Sequence, residues 1–301
     1  MQVSVVVPAY QADATLHACV ASLLRQNFRG SFEVVVCASA DTVHGLPQLG
    51  TDPRLRLITH VPRLGAAAAR NRAAAQARGE GIAFTDADVV VREDWLQRLV
   101  DASGGRRCVA GAVRNGTPHS LIGSAEYLMQ FIDLHPNRRP RSVHFGATCN
   151  LFLPRVLWVS MGPFPEDMDG GEDTLMTARL IKEDLFVFER EALVFHLNRT
   201  RFNDFLRHQY AFGCFSARLA RRGPGLGGST LRQTLQTHAA LAPVAAVAKI
   251  CWIYFRAVTL GRTLALTALR CFPLILLGVG AWGVGLFVES IRQSGGERSE
   301  T

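Results

Sequence analysis

Residues 1–200 alternate short apolar, β-branched runs with Ala-, Leu- and Arg-containing stretches of helical length. VSVVV, FEVVV, LRLI and GIAFT read as strands, and residues 13–26, 65–78 and 92–102 read as the helices between and after them. That alternation predicts an α/β sheet, parallel at least in its first half, because a helix is the usual crossover between parallel neighbours. Ligands of such sheets gather beyond the carboxyl ends of the strands. PAY at 8–10, CASAD at 37–41 and DAD at 86–88 each follow a strand and are expected on one edge.

The last third of the chain abandons this pattern. After RRGPGLGGST (221–230), a Gly/Pro/Ser stretch that reads as a loop, the residues are mostly apolar. Cys271 to Val288 is an uncharged run of 18 residues, long enough for a transmembrane helix. Gly278, Gly280, Gly283 and Gly285 within it would weaken a helix in water and are common in membrane helices. Residues 239–255, interrupted by Pro243 and Lys249, read as a second span or an interfacial helix. The plainer alternative for both is a helical hairpin buried in a soluble core. The expected organisation is an α/β domain over 1–213, a linker or interfacial region over 214–232, and membrane-associated helices, one or two of them spanning, over 233–301.

Composition narrows the function classes. A chain of 301 residues that is 48% hydrophobic can bury a sizeable core and is not a disordered polymer. A net charge of +8 suits a phosphorylated ligand, an anionic membrane or nucleic acid, without choosing among them. The seven cysteines form neither a CxxC motif nor a zinc-spaced cluster, which fits reduced thiols in the cytosol. No GxGxxG or Walker loop follows the first strand, so a dinucleotide fold and a P-loop enzyme are unsupported.

The candidate chemistry starts at FTDADVV (84–90). Asp86 and Asp88 close an apolar run, and in an extended chain both would project to one face. Like charges so placed repel unless a cation lies between or beside them. A solvated turn would also explain the pair. Held as a metal site, the two carboxylates would take Mg or Mn, which also accepts the oxygens of a diphosphate.

Three stretches then carry a family resemblance: VSVVVPAYQADATLHACVASLLRQ, RLGAAAARNRAAAQARGEGIAFTDADVVVREDWL and HFGATCNLFLPRVLWVSMGPFPEDMDGGEDTLMTARL. On these residues, from about 3 to about 213, the chain resembles the inverting family 2 glycosyltransferases of GT-A fold. The resemblance implies a GT-A-type nucleotide-diphospho-sugar transferase, an α/β protein with a mixed sheet flanked by helices, here followed by a C-terminal hydrophobic helical segment. It implies Asp86 and Asp88 on the metal, Asp173 as general base beside Glu172, and Pro8, Tyr10 and Arg70 toward the nucleotide sugar. His196, which ends ALVFH, is either a third metal ligand or a histidine satisfied at a strand end. For Glu172 and Asp173 the plainer reading is N-terminal capping of a helix, and for Arg70 a solvated face of an Ala-rich helix.

One departure bears on the donor. Where the family carries an acid for the uracil edge, Cys37 and Ala38 stand here, and Asp41 is the nearest substitute. A UDP-sugar is the inherited expectation, with a GDP-sugar open. The expected partners are the nucleotide-sugar donor, a lipid-linked or polysaccharide acceptor and the inner membrane, with the catalytic domain cytoplasmic and no nucleic acid. Two rivals stand beside this reading: a non-catalytic nucleotide-sugar-binding scaffold of the same fold, and a nucleotidyltransferase, which would want an Arg-containing Gly-rich loop where PAYQADA stands.

Overall fold

The computed structural model describes residues 1–10, 12–39, 51–61, 63–168, 170–222 and 230–296. The chain runs β1 (Val3–Ala9), α1 (Asp13–Leu24), β2 (Phe32–Ser39), β3 (Leu55–His60), α2 (Ala66–Gln76), β4 (Gly81–Thr85), β5 (Val89–Val91), α3 (Trp95–Ser103), β6 (Cys108–Asn115) and α4 (Leu121–Gln130). It continues through β7 (Asn150–Pro154), α5 (Arg155–Met161), α6 (Glu172–Lys182), β8 (Phe186–His196), α7 (Phe202–Arg222), α8 (Thr230–Thr237), α9 (Ala242–Leu260), α10 (Arg262–Arg270) and α11 (Phe272–Gly296). By packing it divides into a sheet unit, Met1–Gly116 with Leu134–Leu197, and a helical unit, Thr117–Asp133 with Asn198–Thr301.

The sheet unit is one eight-stranded mixed sheet, ordered β3-β2-β1-β4-β7-β6-β8-β5. The expected parallel half is present: β1 pairs in parallel with β2 and β4, and β2 with β3. Every residue of β4 is buried, as in a strand covered on both faces, and such strands read as continuous apolar runs. The second half turns mixed at β7, which pairs antiparallel with β4 and β6, while β8 is parallel to β6 and antiparallel to β5.

Asn150 holds the turn into this second half. Its buried side chain donates to the carbonyls of Ala112 and Ala192, each at 2.9 Å, and accepts from the Trp95 indole at 2.8 Å. Three elements are thereby tied to β7 in a place where water cannot substitute for a lost partner. Helix α3 packs its Trp95, Leu96 and Leu99 face inward and ends at Gly104, whose φ of 53° is the left-handed conformation a glycine supplies cheaply.

The helical unit is built around α11, which packs along α7 at glycine contacts. A Cβ at Gly213 would strike the Trp282 carbonyl, and one at Gly285 would strike the Tyr210 carbonyl. Of the glycines expected to mark a membrane helix, Gly285 and Gly278 are thus sites of close approach here, whereas Gly280 faces open space. Two of its helices are long and apolar enough to cross a membrane, Ala239–Leu260 and Phe272–Arg292. Both run past the C-terminal ends expected from the sequence, by five and four residues. Most of the expected 221–230 loop lies outside the described residues.

Candidate active site

Strand β4 stops at Thr85, so Asp86 and Asp88 do not sit on an extended strand. The amide of Val89 donates to the Asp86 carbonyl at 3.2 Å, closing a turn, and Leu197 N donates to the Asp88 carbonyl at 2.7 Å. The turn and this anchor, not strand pleating, bring the carboxylates together. The antiparallel register of β5 on β8 sets His196 opposite Val89. Ligand atoms of Asp86, Asp88 and His196 consequently lie within 4.8 Å of one another, with His196 Nε2 3.6 Å from Asp88 Oδ1. Two carboxylate oxygens and one imidazole nitrogen form a donor set that fits Mg or Mn.

Arg70 is buried, which excludes the solvated-face reading. Small side chains at Ala67, Ala69, Ala73 and Ala74 let α2 sit close on the sheet, and Arg70 shares that buried face. Its guanidinium donates to Asp86 at 2.6 Å and to Glu172 at 2.7 Å. Burial alone would weaken its hold on the proton, but the two carboxylates outweigh burial and keep Arg70 firmly charged. Its sequence neighbour Asn71 donates to the Phe164 carbonyl at 2.8 Å and accepts from Phe164 N at 2.9 Å, fastening the segment before α6.

Glu172 and Asp173 open α6 directly after Gly170 and Gly171, whose φ values of 152° and 84° lie in the region favoured by glycine. Asp173 accepts from Thr148 N at 3.1 Å and from Thr174 N at 2.7 Å. Burial raises the Asp173 carboxyl above the ordinary aspartate range, against the opposing Thr148 N–H and Arg70 charge. Burial and the neighbouring Asp173 charge push Glu172 up to about 7, with Arg70 pulling the other way. Their position in the first helical turn is the capping position expected, yet Glu172 spends its side chain on Arg70 and Asp173 reaches back to Thr148.

The remaining expected residues are held by other contacts. Pro8 pairs in register with Cys37 inside the sheet, and Tyr10 follows β1 with the Arg63 guanidinium 3.7 Å over its ring. Asp41 lies outside the described residues. Sequence reasoning missed three neighbours of the site. The Thr148 amide has no residue-type signature, and the thiols of Cys19 and Cys149 are buried and pushed up by burial and by the Asp86 and Asp88 charges.

The family described as "Glycosyl transferase family 2" matches residues 4–157. A pre-mycofactocin glycosyltransferase of Mycobacterium tuberculosis is 29% identical over 241 residues, 74% of this chain and 48% of that protein. The chain therefore spans about half the length of that relative. A UDP-Glc:α-D-GlcNAc-diphosphoundecaprenol β-1,3-glucosyltransferase of Escherichia coli is 38% identical over 101 residues, 33% of this chain and 38% of that one. Among solved structures, a mannosyltransferase of Pyrobaculum calidifontis in complex with GDP-Man and Mn2+ superposes with a TM-score of 0.65 at 20% identity. It covers 96% of this chain and 87% of that one, a likeness of fold.

Proposed function

The chain belongs to glycosyl transferase family 2, and from that premise we propose that it is an inverting transferase. It moves a sugar from a nucleotide-diphosphate donor to a lipid-linked or cell-envelope polysaccharide acceptor. Residues 1–213 carry the chemistry, 214–232 form a linking or interfacial region, and 233–301 attach the enzyme to the cytoplasmic face of an inner membrane.

The observation that carries this reading is the Arg70 bridge. It couples Asp86 of the candidate metal group to Glu172, the neighbour of the candidate base, within one buried network. Asp86, Asp88 and His196 would hold Mg or Mn, which when bound neutralises the charge of the departing nucleoside diphosphate. Asp173 takes the proton from the acceptor hydroxyl; its raised affinity for protons makes it a stronger base than an exposed aspartate. Thr148 N–H and Thr174 N–H fix the orientation of its carboxylate. Arg70 keeps Asp86 and Glu172 from repelling each other, and Pro8 and Tyr10, at and just beyond the end of β1, are assigned to the donor.

A UDP-sugar is the favoured donor, supported by the Escherichia coli relative named for UDP-Glc. The GDP-Man complex of the Pyrobaculum structure keeps a GDP-sugar as the second candidate. The diphosphoundecaprenol acceptor in the name of the same Escherichia coli relative supports a lipid-linked acceptor here.

Donor hydrolysis and transfer by the purified full chain across a panel of nucleotide sugars, with and without Mn or Mg, tests the proposal. Metal-stimulated turnover of one donor is the expected result. Binding of a nucleotide sugar without any turnover would favour the scaffold reading instead.

A further inference from the structure

The helical unit carries two long apolar helices, and their packing bears on how they meet a bilayer. Helix α7 lies alongside α11 in parallel register: Phe205 is against Gly278, Tyr210 against Gly285, and Arg218 pairs with Glu289 at 2.8 Å. A helix rises 1.5 Å per residue, so Phe272–Arg292 would span roughly the 30 Å of a hydrocarbon core if it stood upright. Its companion α7 would then stand in the same slab. The level of Gly278 is about 9 Å inside that span, and there α7 carries Asp204 and Arg207, whose side chains are 45% and 79% exposed. Lys249 adds a charge near the middle of α9, over the Trp282 ring at 4.8 Å, close to the midpoint of α11. No upright placement of α11 keeps these charges out of hydrocarbon, where exposed ionic side chains are excluded.

The exposed surface points to a different arrangement. On α11 the exposed residues Phe272, Leu276, Val284, Phe287 and Ile291 recur at helical spacing as one stripe, while Ile275, Val279, Trp282 and Leu286 on the other face are buried. On α9 the exposed Val244, Val247, Trp252, Phe255 and Val258 do the same. One-sided apolar stripes suit immersion of a face rather than of a whole circumference. Basic residues flank this surface. Arg262 and Arg270 are exposed at the two ends of α10, and Arg256 sits over the Trp252 ring at 3.9 Å while pairing with Asp133 at 2.8 Å. Aromatic rings beside arginines mark the headgroup level, and arginines there match the phosphates of anionic lipids.

We propose that the helical unit is seated in one leaflet of an anionic phospholipid membrane, with α9 and α11 lying in the plane of the bilayer instead of crossing it. The proposal rests on the membrane attachment put forward above. The exposed stripes of α9 and α11, with the exposed Leu266 and Leu269 of α10, are immersed, Arg262 and Arg270 reach the phosphates, and the charged face of α7 stays in water. No segment of the helical unit then crosses the bilayer, so both ends of each helix share one side of it with the rest of the chain.

The test reads sidedness in the full chain. All seven cysteines are free, and Cys251 is the exposed one. In a Cys251→Ser background, single probes are introduced as Arg106→Cys in the sheet unit, Arg262→Cys at the α9–α10 corner, and Arg292→Cys on α11. Cells expressing each variant are treated with a membrane-impermeant maleimide before and after lysis, with detergent-solubilised protein as the control for reactivity. In-plane seating predicts that all three probes share one pattern, protected or reactive together. Opposite labelling of Arg262→Cys relative to Arg106→Cys reveals a crossing hairpin, and opposite labelling of Arg292→Cys a single span; either result overturns the proposal. A full-length chain found wholly in the soluble fraction overturns the membrane attachment itself, a separate outcome visible before any labelling. Flotation of the purified chain with phosphatidylcholine vesicles only when phosphatidylglycerol is included supports the anionic partner, and equal flotation without it removes that part.

Discussion

Arg70 and Glu172 stand 102 positions apart in the chain and form a 2.7 Å ion pair in which each side chain is only 6% exposed. The same guanidinium reaches Asp86 at 2.6 Å, so one cation serves two carboxylates. A buried pair adds little stability compared with an apolar substitute, but losing one partner strands the other charge without water.

That asymmetry gives a stability prediction. Arg70→Ala leaves Glu172 and Asp86 facing each other uncompensated and is expected to cost about 3–5 kcal/mol in denaturant unfolding. Adding Glu172→Gln removes one of the stranded charges, so the double variant should recover part of the loss and the two effects should fail to add. A loss below about 1 kcal/mol for Arg70→Ala would mean the network carries no stability.

Asp173→Asn separates binding from chemistry. It preserves shape and leaves Asp86, Asp88 and His196 untouched, so donor affinity should persist while transfer falls by about 100- to 10,000-fold. Isothermal titration with the donor and a transfer assay on the same preparation check the two halves. Asparagine caps a helix about as well as aspartate, so near-normal transfer would reduce Asp173 to a cap.

Asp88→Ala tests the candidate cation site through Mn itself. The Asp88 side chain is 34% exposed, and its removal should leave the fold intact while protein-bound Mn, read by electron paramagnetic resonance, and Mn-dependent donor binding are both lost. Metal-independent donor binding by the unmodified chain would argue against the assignment.

A pH dependence follows from His135, in the sheet unit. Burial, with help from the Arg114 charge, lowers it from its ordinary 6.5 to about 4, and its Nδ1 accepts from Asn137 N at 3.0 Å. The folded chain therefore holds this ring neutral where the unfolded chain protonates it. Its contribution is complete above 6.5 and is lost as pH falls toward about 4. His135→Gln should flatten the fall in melting temperature across that window, and an unchanged slope would assign the acid sensitivity elsewhere.

Much of this protein is legible in its residues alone. The parallel half of the sheet follows from β-branched runs separated by helical stretches, because each such run satisfies its backbone beside the next and a helix returns the chain. Asp86 and Asp88 are conspicuous as carboxylates closing an apolar run, whereas Glu172 and Asp173, in the polar stretch EDMDGGEDT, read from the residues alone as a helix cap and are singled out only by the family resemblance. The mixed second half is less visible: NLFLP and CVAGAVRN are short, largely buried runs whose type and direction depend on partners far along the chain.

Tertiary structure alone decided the rest. Periodicity cannot say that Arg70 on an Ala-rich helix turns inward, since that follows from Glu172 and Asp86 waiting there to accept its charge. Nor can it say that Asp86, Asp88 and His196 meet, which depends on a turn after β4 and on the register of β5 against β8. The apolar length of α9 and α11 is a property of sequence, as is Lys249 within α9, whereas the Asp204 and Arg207 charges beside α11 come from α7, packed close where glycines leave room for its backbone. Hydrophobic pattern is local and survives in one dimension; the pairing of charges and the approach of backbones exist only once distant segments are brought together.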